Sequence, residues 1–301
     1  MYTTAIGNTF LKAYNERYNT DYNGRSFFEQ QFIPLFFDHQ KYMMTAGNSP
    51  LENPKLSWED MITGKKPFET AERRQERIRK MIDKIEKEKA DSSIAIGYGV
   101  LDETAATASQ ITNITFPDSK ENIYLSWIGA GLGIGVAGAI TILFNHPDLL
   151  LDIFEGWQHY RTYLETYPLL KGNQVNTWNA HWIVHKYDHY AFDEKDPTAG
   201  LNPLEKNSSG LFSIPTIPWT KVLFSIANRL EKGNLVGYLY NIGQTNTTIG
   251  FIPFVLGDIS RPHMFYKRIF GEKEYRRNVK EMENLFGTAF GIRVACQEGS
   301  I

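Results

Sequence analysis

Three of the seven histidines fall within nine residues: His181, His185 and His189, in the run HWIVHKYDH. On a helix, a spacing of four sets them on one side, about 6 Å apart per step. Two imidazoles so placed can hold one zinc ion, and Asp188 can orient a ring or add an oxygen ligand. The candidate metal set is thus His181, His185, Asp188 and His189, with a divalent metal as the candidate cofactor. The chemistry would be metal-dependent hydrolysis, nuclease activity included, centred on His181/His185. Against it, the third histidine lies a turn too far to share the ion without a bend, and no His-Glu-x-x-His run supplies a general base. The same spacing also describes an aromatic helix face with Trp182, Tyr187 and Tyr190 alongside, or a patch that titrates near pH 6.5.

Two basic clusters offer a different chemistry. Lys65–Lys89 carries ten bases against six acids, and Arg73, Arg74, Arg77 and Lys80 cluster where phosphates could be contacted. Near the C-terminal end, Lys267, Arg268, Arg276 and Arg277 are interleaved with Tyr266, Phe270 and Tyr275. Rings beside cations suit a single strand of DNA or RNA, whose bases stack while its backbone is neutralised. The plainer account of both clusters is a solvated helix surface laced with ion pairs or snorkelling side chains. No RNP1 run, zinc finger or helix-turn-helix accompanies them.

Other reactive patterns are thin. There is no Gly-x-Ser-x-Gly and no P-loop, and the single cysteine, Cys296, has no histidine near it in sequence. Asp118-Ser-Lys120 and Asp193-Glu-Lys195 match half of a two-carboxylate nuclease pattern; three-residue matches are too common to assign. Asn48-Ser-Pro50, Asn176-Thr-Trp-Asn179 and Gln244-Thr-Asn-Thr-Thr248 are dense in amides and hydroxyls, which serve ligands or turn backbones.

The segment Ile123–Phe144 has no charged residue and five glycines, at 129, 131, 133, 135 and 138. Its length would span a bilayer as a helix of about 20 residues, but the glycines oppose helix and no Lys/Arg bias flanks it. Gly133, Gly135 and Gly138 satisfy Gly-x-Gly-x-x-Gly, a dinucleotide fingerprint only if a strand precedes and a helix follows. The favoured reading is an extended strand whose alternate glycines let another backbone, a helix or a polymer lie close.

These groups sit in a chain of 301 residues, 42% hydrophobic and 14% aromatic, with net charge −2. That composition belongs to a folded protein with a sizeable core and without a global field toward nucleic acid. One cysteine excludes an intrachain disulfide and a multi-cysteine zinc site, which agrees with a reducing compartment. The start lacks the basic and apolar regions of a signal peptide, so the expected location is cytoplasmic.

Periodicity predicts helices over Ala5–Tyr18, Ser26–Met44 (bent or split at Pro34), Trp58–Thr63, Phe68–Ala90, Pro147–Tyr167, Asn173–Tyr187, Pro218–Lys232, Arg261–Phe270 and Glu272–Phe290. Strands are expected at Ser92–Tyr98, Gln110–Phe116, Leu235–Ile242 and Thr248–Leu256, with Pro253 forcing the last to an edge. Ala46–Pro54, Asp102–Ser109 and Pro117–Asn122 read as loops or connections. The fold class is α+β, helix-rich, with a small antiparallel or mixed sheet that includes a glycine-rich central strand. Residues 1–192 form a helix-rich part, 193–209 a loop or boundary and 210–301 a smaller α+β part, or all make one domain. The expected function is nucleic-acid binding, or an accessory role in a larger assembly. DNA or RNA and other protein subunits are the partners; a membrane is not expected.

Overall fold

A computed structural model describes residues 1–46, 49–52, 58–98, 119–230, 234–241, 247–256 and 264–278. The fold is helix-rich α+β. Its helices are α1 (Tyr2–Tyr18), α2 (Gly24–Phe27), α3 (Ile33–Phe36), α4 (Trp58–Ile62), α5 (Ala71–Lys87), α6 (Lys120–Gly131), α7 (Pro147–Thr166), α8 (Val175–Lys186) and α9 (Trp219–Arg229). A final helical stretch, α10, covers 264–278 and is interrupted at Gly271, whose φ is +82°, between the two expected helices. The strands are β1 (Ile134–Val136), β2 (Ile140–Phe144), β3 (Glu205–Lys206), β4 (Phe212–Ser213), β5 (Asn234–Asn241) and β6 (Thr247–Val255).

Helix boundaries follow local chemistry. The Asn23 and Ser26 side chains cap each other's backbone amides at the start of α2. Pro34 cannot donate to the helical ladder, and the chain adapts with a π turn over Phe28–Phe32 before α3, as the expected split requires. The helix then stops at Phe36, short of the expected Met44, because the chain folds back and the Met43 amide donates to the Phe36 carbonyl. Thr70 caps α5, and at α7 the His146 ring accepts from the Leu149 amide with Pro147 in the first turn.

The main sheet is antiparallel, ordered β1-β2-β5-β6. β6 is an edge, as Pro253 demands, and β2, drawn from the glycine-rich segment, lies inside. Elements from both sides of 193–209 meet here, since β2 pairs with β5 along Ile140–Phe144. The core is strongly aromatic: Phe10, Phe27, Phe32, Phe36, Phe154 and Trp157 pack ring against ring.

Several expectations are corrected. Ile123–Phe144 is not one strand: it is α6, then β1, a turn and β2. Gly129 and Gly131 therefore lie in a helix. Gly133, Gly135 and Gly138 fall in an antiparallel hairpin with no helix behind it, which removes the dinucleotide fingerprint. No helix among the described residues is long and apolar enough to cross a membrane. The close-approach reading of the glycines holds with a helix as the neighbour. A β-carbon on Gly129 would lie 1.9 Å from the Thr3 carbonyl oxygen, and one on Gly7 2.1 Å from that of Leu125, so α1 and α6 cross backbone to backbone. At Gly135 the object is the first turn of α8.

Ser92–Tyr98 is a series of turns, not a strand. The Asp91 carboxylate accepts from the Ser93 amide and hydroxyl, and its carbonyl from the Ile94 and Ala95 amides, so local bonds displace a ladder. Lys120–Asn122, expected in a loop, opens α6 instead. The predicted strand Gln110–Phe116, the connection Asp102–Ser109, Asn48, Gln244–Asn246, Asp118 and Cys296 lie outside the described residues.

Candidate nucleic-acid interface

The basic cluster on α5 is divided by its own helix. Arg74 and Arg77 turn inward as braces. Arg77 pairs with Glu69 at 2.9 Å and donates to the Pro50 and Glu52 carbonyls. Arg74 donates to the Glu69 carbonyl at 2.8 Å and faces Asp38 at 3.6 Å. Arg73 and Lys80 point outward, but each already has an acid one turn back, Glu69 at 3.3 Å and Glu76 at 2.6 Å. The four are brought onto one helix, yet little unneutralised charge is left for a phosphate.

The second cluster is placed differently. α10 is anchored inward by buried Tyr275. Arg276 lies 3.7 Å from the Tyr190 ring centre and the same distance from Glu272, and Lys267 stands 4.4 Å over Tyr275. Arg268 and Arg277 have no ion pair among the described residues. On the same stretch, Phe265 and Phe270 are 64% and 56% exposed, with Met264 and Ile269 also open to solvent. Exposed rings beside free guanidinium groups can stack on bases and neutralise a backbone.

The histidines do not converge. α8 ends at Lys186, so His189 lies beyond the helix and exposed. The His181 Nε2 bonds to the Pro215 carbonyl at 2.8 Å and the His185 Nε2 to the Pro197 carbonyl at 3.1 Å. A carbonyl only accepts, so both nitrogens carry hydrogen and neither is offered to a metal. Burial lowers the His181 pKa, which keeps the ring neutral. Asp188 accepts from the Tyr190 amide in a turn. Among the described residues, no three His, Cys, Asp or Glu side chains gather as a metal set. Asp193-Glu-Lys195 is likewise a turn, its Asp193 carboxylate accepting from the Lys195 amide.

No family model matches the chain, and no curated protein or solved structure does either.

The polar run Asn176–Asn179 serves the fold at both ends. Asn176 donates to the Ala130 and Gly133 carbonyls and Asn179 to those of Gly131 and Gly133, which ties α8 to the end of α6. Sequence reasoning missed two groups. Buried Lys41 donates to the Leu164 and Tyr167 carbonyls at the end of α7. Burial, reinforced by nearby Arg161, brings its ammonium down to about 8. Arg161 is itself buried, donates to the Leu35 and Lys41 carbonyls, and is lowered to about 10 by burial. A signal existed for Arg161: its neighbours one turn away on the α7 pattern, Trp157 and Leu164, are core residues.

Proposed function

We propose that this protein is a nucleic-acid-binding accessory subunit of a larger assembly, holding a single strand of DNA or RNA along α10. The observation that carries this reading is the pairing of open rings, Phe265 and Phe270, with Arg268 and Arg277, two cations that no described carboxylate neutralises. Base stacking on such rings contributes about 1–3 kcal/mol per base and tolerates sequence. The α5 cluster adds a weaker contribution through outward Arg73 and Lys80.

The test is fluorescence anisotropy of labelled single- and double-stranded DNA and RNA across a salt series. Replacing Arg268 and Arg277 together by Ala removes two phosphate contacts, so the log–log salt slope for a single strand falls by about 1.4. Phe265→Ala weakens binding roughly tenfold without changing that slope. Absence of binding at low salt, or binding indifferent to all three substitutions, overturns the proposal.

A separate observation favours a protein partner as well. Phe251, Val255 and Val236 are exposed, Phe251 by 66%. Phe251 pairs across the sheet with Tyr238, and Pro253 with Val236. Neither β5 nor β6 contains a charged residue. Pro253 has no N–H to extend the sheet beyond that edge, so the partner would cover the face instead of adding a strand. Phe251→Glu should abolish co-purification of that subunit and leave α10-dependent nucleic-acid binding intact.

A further inference from the structure

The hairpin that ends the glycine-rich segment, the turns at 92–98 and the first turn of α8 enclose a cavity of about 270 Å³. Among the described residues lining it, none is Asp, Glu, Lys, Arg or His. It is polar nonetheless. Gly135, Thr141 and Tyr240 lie side by side across β1, β2 and β5, and all three line the cavity.

Thr141 is only 4% exposed, and its hydroxyl makes no hydrogen bond among the described residues. Thr141 lines the cavity, so a hydroxyl without a protein partner there is open to a ligand oxygen. The first turn of α8 adds to this. Its cap residue, Gln174, spends its side chain on Ile214. The Asn176 and Thr177 amides bond to nothing among the described residues, and both residues line the cavity. Orphan helix amides beside an orphan hydroxyl form a set of donors with no acceptor. Trp127 supplies an aromatic wall; its own N–H is taken by the Ile94 carbonyl, leaving the ring to pack.

The absence of charge among the described lining residues restricts the ligand. A full negative charge would be stripped of water with only the roughly half-unit dipole of α8 to hold it among the described residues, and a cation would meet no acid among them. The volume lies just below the roughly 300–1,000 Å³ of drug-sized sites, enough for one ring system and its substituents.

We propose that this cavity binds an uncharged, hydrogen-bonding ring compound, a nucleoside or a monosaccharide. An acceptor oxygen of the ligand meets the α8 amides and the Thr141 hydroxyl, and its ring lies against Trp127 and Tyr240. The proposal does not rest on the nucleic-acid reading, because no residue of α10 takes part.

Isothermal titration of the full chain tests it, with neutral ribonucleosides, pyranose monosaccharides, nucleoside monophosphates and inorganic phosphate as separate arms. The expected result is saturable one-to-one binding of a nucleoside or a sugar, with the monophosphate weaker. Thr141→Val is nearly isosteric and removes only an unpartnered hydroxyl. It should weaken that binding roughly five- to tenfold while leaving the thermal midpoint unchanged or raised. Thr177→Leu, which fills the mouth of the first turn, should abolish binding. Binding confined to the phosphate arms, no binding in any arm up to about 10 mM, or neutral binding undiminished in both variants overturns the proposal.

Discussion

Replacing Gly129 by Ala should be among the most damaging single-methyl changes in this protein. Its β-carbon would sit 1.9 Å from the Thr3 carbonyl oxygen, 2.8 Å from the carbonyl carbon and 2.9 Å from the Gly7 amide nitrogen. Every one of these atoms is backbone, so no rotamer change relieves the clash. α1 and α6 must separate by about 1–1.5 Å to restore ordinary contact, and a gap of that order forfeits half or more of the dispersion attraction across the crossing. Overpacking on this scale costs about 1–3 kcal/mol, and the separation also loosens Ile6 and Phe10, both fully buried on α1. Alanine's better helix propensity returns about 1 kcal/mol. At the upper end of the overpacking range a net loss of about 2 kcal/mol is expected, which lowers the midpoint by roughly 4–8 °C for a chain of this size. The assay is urea and thermal unfolding followed by circular dichroism, with Gly64→Ala as control. Gly64 has nothing within 4 Å but a φ of +76°, so its substitution carries only conformational strain of about 1–2 kcal/mol. If Gly129→Ala were no worse than Gly64→Ala, the backbone-to-backbone crossing would be wrong. Gly7→Ala on top of Gly129→Ala should add less than it costs alone, because the helices are already apart.

Other consequences are equally open to measurement. Lys41 has a folded pKa of about 8 against 10.5 in the open chain; between those values the unfolded chain binds more protons, so stability rises with pH from 8 toward 10. The two carbonyls that favour its charged form temper the gain to about 1–2 kcal/mol; a flat profile, or a slope that persists in Lys41→Met, contradicts this. Above pH 10 the trend reverses, because burial raises the pKa of Tyr42, Tyr124 and Tyr160 and only the unfolded chain then loses those protons. On the acid side, burial lowers His181, His39 and His159. Stability is thus lost as pH falls below 6.5 toward their folded values, and His181→Gln should flatten that limb in chemical denaturation. Asn179 is fully buried and holds two carbonyls; Asn179→Leu leaves the Gly131 carbonyl without that donor while Gly133 keeps Asn176, and should cost about 1–3 kcal/mol, seen as a lowered urea midpoint.

Elements with strong local signals were legible. α5 declares itself by Ile78, Met81 and Ile85, all buried, α7 by its Pro147–Asp148 start, and β6 by alternation with Pro253 at a sheet edge. The failures share one physical cause, which is that the decisive partner is distant in sequence. Alternate glycines at 129–135 read locally as strand. Gly129 is helical because α1, over a hundred residues earlier, needs a bare surface there, and tertiary contact outweighs the roughly 1 kcal/mol propensity penalty. His181 and His185 have metal-like spacing, but the Nε2 of each ring is committed to the Pro215 or Pro197 carbonyl, which no spacing rule on α8 reveals. The basic clusters illustrate the same limit from the other side. Composition made the α5 set look richer, but its acids sit four residues from its bases and neutralise it. On the α10 stretch, Arg268 and Arg277 have no ion pair among the described residues, and Phe265 and Phe270 stand open. A hydrophobic pattern identifies which faces will be covered. Which polar groups end without partners depends on who arrives to cover them, and among the described residues these include the Thr141 hydroxyl, the first amides of α8 and the two arginines of α10, where binding is to be sought.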